Sequence, residues 1–152
     1  MPHGTRRTTE PDGSKPIIYH GNRLTLKKDI TSEQFEQALA MWHEQGRMPA
    51  VESYFIGREY GAGFEWNAFF GLKDLDAYWE YLTHPLHTRS ERFALPLMEK
   101  FEAYDITDDP DPDFPAKVAE LQKRHYAEDP ELVRLVQTLP SHTGSSAVPG
   151  LG

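Results

Sequence analysis

Two stretches with helical period, each set among segments with strand period, constrain this chain more than any other feature. Thr31-Ser-Glu-Gln34 has the form of a capping box, and Phe35, Ala38, Leu39 and Trp42 follow at i, i+3, i+4 and i+7 before Gly46 offers a stop. Asp74 can open a second helix, in which Leu75, Tyr78, Trp79 and Leu82 form the apolar stripe. Such stripes must be buried, and the intervening segments supply the surface. Ile17, Ile18, Tyr19, Leu24 and Leu26 alternate with polar residues. Ala50 to Arg58 and Phe64 to Phe70 are rich in strand formers and flank the turn Tyr60-Gly-Ala-Gly63, and Phe101 to Ile106 makes a fourth strand. The order is β-α-β-β-α-β, an α+β, ferredoxin-like arrangement with both helices on one face of an antiparallel sheet. The bare face predicts a homodimer, because the aromatic residues would otherwise leave a large apolar patch in water.

The second helix runs into Tyr81-Leu-Thr-His84-Pro-Leu-His87. Pro85 lacks an amide hydrogen, so it ends one helix or opens another, and it predicts a bend that brings Tyr81, His84 and His87 together. Imidazole is the side chain whose ordinary pKa lies near neutrality, and a phenol can donate to developing oxyanion charge. Tyrosine and histidine also cap cores without chemistry, with the ring buried and the polar tip wet. Likewise Phe64, Trp66, Ala68 and Phe70 share one face of their strand and suit either core or a pocket wall. His84, His87 and Glu91 have helical spacing for a metal but lack a fourth ligand, so no metal is expected.

The chain has 152 residues, fitting one domain with tails, and its net charge of −8 disfavours nucleic acid and anionic membranes as partners. The absence of cysteine excludes disulfides and thiolate chemistry and fits a cytoplasmic setting. No run approaches membrane-spanning length. Residues 1–15 read as a flexible arm, 16–107 as the domain, 108–139 as two helices after an acidic Pro-rich break, and 140–152 as a disordered tail.

Tyr81-x-x-His84-Pro-x-His87, with Glu99-Lys100 and Tyr104-Asp105-Ile-Thr107 beyond it, resembles the stress-responsive dimeric α/β-barrel (Dabb) family and, within it, plant polyketide cyclase sequences. The resemblance implies a catalytic pair of Tyr81 and His87, with Asp105 holding His87. It also places His20 in the pocket and Trp66 where a third-strand histidine stands in the cyclase. His20, His84, Trp66, Phe64 and Phe70 are therefore the expected substrate-binding residues. The chemistry fits: a neutral His87 can take a proton α to a carbonyl, Asp105 can fix its tautomer, and Tyr81 can donate to the enolate oxygen. The expected function is a cofactor-independent cyclase or lyase on a hydrophobic polyketide-like substrate. Two alternatives remain: a cofactor-free or haem-dependent monooxygenase of the same superfamily, and a small-molecule-binding stress protein without turnover.

Overall fold

The structure is a computed structural model that describes residues 15–147; the arm expected over 1–14 and the last residues of the expected tail, 148–152, lie outside the described residues. Strands β1 (Ile18–Leu26), β2 (Ser53–Arg58), β3 (Trp66–Leu72), β4 (Met98–Thr107) and β5 (Ser141–Gly144) form one sheet in the order β2-β3-β1-β4-β5. The four longer strands pair antiparallel, and β5 adds to β4 in parallel. Helices α1 (Ser32–Gly46), α2 (Leu75–Thr83), α3 (Pro85–Ala94), α4 (Phe114–Ala127) and α5 (Pro130–Gln137) complete the chain.

Local chemistry sets these boundaries. The Thr31 hydroxyl accepts from the Gln34 amide while the Gln34 side chain accepts from the Thr31 amide, so the predicted capping box opens α1. Asp74 accepts from the Ala77 amide to open α2. His84 is extended between α2 and α3, Pro85 takes the first position of α3, and the His84 imidazole accepts from the Leu86 amide. The bend is therefore a break between two helices, with proline supplying a preset φ where no amide donor is needed. A 3-10 turn at Leu95–Leu97 follows α3 at Pro96, and β4 begins at Met98, ahead of the expected Phe101.

Ile18, His20, Asn22 and Leu24 on β1 alternate toward the helices, beside Trp66, Ala68, Phe70 and Leu72 on β3. One core cluster centres on Phe70, Leu72, Tyr78, Tyr81 and Leu82, and it takes in Phe114 and Val118 from α4. A second joins Leu24, Leu95 and Met98 to Tyr126, Leu132 and Val136 of the C-terminal helices. The extension thus docks on its own domain. The disordered tail expected from residue 140 is corrected in part: Ser141–Gly144 pairs with Lys100–Ala103, and the Tyr126 hydroxyl donates to the Ser146 carbonyl at 2.6 Å. Gly144 has φ +87, and a β-carbon there would stand 1.9 Å from the Ala103 carbonyl oxygen. This close backbone approach needs glycine. The opposite face of the sheet carries Phe55 and Ile106, 58% and 62% exposed, with Phe69 beside Tyr19.

Candidate active site

Between the sheet and helices α1, α3, α4 and α5 lies a cavity of about 90 Å³, several times the room a single water centre needs. Its walls are mainly apolar, with Leu24, Phe35, Trp42, Trp66, Met98 and Val136 among them, and its polar groups include His20, Asn22, Gln45, His87, Glu91, Gln122 and His125. That combination suits a hydrophobic ligand held by a few directed polar contacts.

Two clusters stand out among the polar groups. In the first, strand register sets His20 on β1 opposite Asp105 on β4. The His20 Nδ1 lies 2.9 Å from Asp105 Oδ1 and 2.7 Å from the Tyr78 hydroxyl, which donates to Asp105 Oδ2 at 3.2 Å. Gln122 of α4 donates to the same hydroxyl at 3.2 Å. Burial alone would raise the Asp105 pKa, but the charge of His20 and hydrogen bonds from His20 and Tyr78 hold it below the usual carboxylate range. Burial and then the Asp105 charge push the Tyr78 phenol far up, so Tyr78 is a neutral donor.

The second cluster straddles α3 and α4. His87 Nδ1 lies 3.0 Å from the Leu82 carbonyl oxygen and 3.3 Å from Glu91 Oε1, one helical turn on. His125 Nε2 approaches the same Glu91 oxygen at 3.7 Å. That oxygen and that nitrogen are buried without a hydrogen-bond partner. Burial would raise the Glu91 pKa, yet His87 and His125 together hold it down at about 2. A carboxylate kept ionised here therefore depends on the two imidazoles.

The residues expected from the sequence divide accordingly. His20, His87 and Trp66 line the cavity. Asp105 does not hold His87; it pairs with His20, and the Leu82 carbonyl and Glu91 take the place assigned to it. Tyr81 does not open on the cavity: it is fully buried, its ring 4.7 Å from the His87 ring, and its hydroxyl donates to Gln45 Oε1 at 3.1 Å. Burial and then the Glu91 charge raise its pKa, so it too remains a neutral donor. Phe70 belongs to the core against Tyr81 and Tyr54. Phe64 precedes β3 and meets Arg23 and Lys100. His84 caps α3. The metal candidate His84, His87 and Glu91 is also corrected, since His125 rather than His84 joins the other two.

The stress responsive A/B barrel domain model matches residues 18–108. The chain belongs to the stress responsive A/B barrel domain family. Solved structures with the same fold include a dimeric ferredoxin-like protein of unknown function from Thermobifida fusca. It is 21% identical, with a TM-score of 0.54 over 60% of this chain and 91% of that one. A Dabb family protein from Mesorhizobium loti is 23% identical, with a TM-score of 0.55 over 60% and 96%. The hydroxynitrile lyase of Passiflora edulis is 16% identical, with a TM-score of 0.55 over 62% and 95%. No curated protein matches the chain. The family match ends at Asp108, so α4, α5 and β5, with Gln122 and His125, lie beyond the shared A/B barrel domain. No described helix is long and apolar enough to cross a membrane.

Proposed function

We propose that this protein is a cofactor-independent lyase or cyclase that binds a hydrophobic, polyketide-like carbonyl compound in the cavity and abstracts a proton α to the carbonyl. The observation that carries the reading is the tethering of His87. With Nδ1 donating to the Leu82 carbonyl, Nε2 keeps its lone pair, which is the tautomer a general base requires. The proton moves to Nε2, the C–H electron pair becomes the enolate, and the enolate attacks a second carbonyl of the same tethered chain. The protonated His87 then returns the proton to the new alkoxide. Glu91 stabilises the transient imidazolium from 3.3 Å.

Gln45 is the proposed oxyanion donor. Because the Tyr81 hydroxyl donates to its Oε1, the amide nitrogen of Gln45 remains for the cavity that this residue lines. Tyr81 then acts through Gln45 as a positioning residue. A lyase among proteins of this fold is compatible with such chemistry. The exposed Phe55, Phe69 and Ile106 face supports a homodimer built by packing the two sheets together, and the Thermobifida protein is described as dimeric.

Turnover of a panel of poly-β-carbonyl thioesters, with ring closure followed by absorbance, tests this reading. His87→Ala should abolish turnover while still binding ligand, and Gln45→Leu should lower kcat by about 10²- to 10³-fold, as removal of one oxyanion donor does. A His87→Ala variant as active as the native protein would refute the assignment.

A further inference from the structure

We propose that His87, Glu91 and His125 form a site for one divalent transition-metal ion, with its open coordination position facing the cavity. One potential ligand atom from each of the three lies within 4.8 Å of the other two. His87 and Glu91 stand one turn apart on α3, and His125 comes from α4 of the extension. Around Glu91 Oε1 the imidazole nitrogens stand at 3.3 and 3.7 Å. Ligand atoms about 2.0–2.1 Å from a tetrahedral ion stand about 3.4 Å apart, so both gaps already suit an ion between the groups. An ion held through His87 Nδ1 would displace the proton that this nitrogen donates to the Leu82 carbonyl in the metal-free chain.

A second observation points to a ligand. His125 is 5% exposed and lines the cavity, yet its Nε2 has no hydrogen-bond partner, and neither has Glu91 Oε1. Buried polar atoms are rarely left so, and a cation between these two would satisfy both. The ion-pair partners of Glu91 among the described residues are these two imidazoles, and Arg92, next on α3, acts on it only through charge at longer range. Two imidazoles and one carboxylate, without thiolate, suit zinc, iron(II) or cobalt(II) rather than magnesium or calcium. Three protein ligands leave a fourth position for water or a substrate oxygen.

This inference goes beyond the acid–base reading and does not depend on it, because it rests on donor geometry alone. The full chain, stripped by chelator and titrated with cobalt(II), should bind one ion per chain, show visible d–d absorption, and release it to zinc. His125→Gln and Glu91→Gln should each weaken binding at least tenfold, the lower end of what losing a metal-site contact costs. His43→Gln, away from the cluster, should not. Circular dichroism of each variant separates lost binding from lost fold. No visible band at millimolar cobalt, or a band unchanged in both cluster variants, would overturn the site. Chelator-treated protein that still turns over a carbonyl substrate while refusing cobalt removes the metal site alone. Cobalt binding by a chain that, once stripped of metal, turns over no substrate removes the acid–base reading alone.

Discussion

His20 and His87 both line one cavity and both have a carboxylate neighbour, yet their surroundings are completed differently. Around His20 the partners are set by strand register, and Asp105, Tyr78 and Gln122 close a network in which each group finds a partner between 2.7 and 3.2 Å. Around His87 the partners come from helices, the contacts to Glu91 lengthen to 3.3 and 3.7 Å, and two buried atoms stay unpaired. A closed network holds structure; an unfinished one has capacity left for a ligand, a proton or an ion. On the proposed reading, this contrast gives His20 the scaffold role and His87 the reactive one.

The largest way to break the contrast is to remove residues 110–152, which takes Gln122 from one cluster and His125 from the other. It also strips Phe114, Val118, Tyr126, Leu132 and Val136 from the two cores. The midpoint of thermal unfolding should fall by about 10 °C or more, since each lost core side chain is worth about 1.5–3 kcal/mol. Retention of the native melting temperature would show that the extension packs on nothing.

Paired substitutions sharpen it. Asp105→Ala should cost about 2–4 kcal/mol, or about 6–12 °C, because His20 and Tyr78 lose a shared acceptor in a buried place. Glu91→Gln should cost less than Asp105→Ala, because the amide keeps an acceptor oxygen where the contacts to the imidazoles are already long. Equal losses, read by urea unfolding, would erase the distinction between the clusters.

Acid gives a smaller effect. The folded Asp105 pKa lies below its ordinary value, so its contribution to stability is present above about pH 3.9 and lost as pH falls from there toward the folded value. Asp105→Asn should flatten that part of the stability curve; a steepened slope would reverse the sign. The smallest effect belongs to Tyr81→Phe, which should lower kcat only about tenfold, less than Gln45→Leu, if the phenol acts through the amide.

Much of the fold was legible because local signals agreed with one another. The Thr31 to Gln34 box, the Asp74 cap and Pro85 each mark a boundary that the structure places there. Ser141–Gly144 was hidden because it has no apolar alternation; backbone pairing to β4 and one glycine conformation hold it. In the site, His87, His20 and Trp66 were readable as cavity residues, whereas the partner of each histidine was not. Asp105 meets His20 through β1–β4 register, and His125 meets Glu91 only once α4 has docked, and neither pairing leaves a trace in local spacing. Glu91 itself was visible as the i+4 neighbour of His87.

The most direct test of the contrast is long-range nitrogen NMR of the histidine rings during titration of the metal-free protein with zinc. The ring nitrogens of His87 and His125 should shift together, saturating at one ion per chain, while those of His20 keep their positions. Zinc-induced shifts at His20 with His87 and His125 unchanged would contradict it.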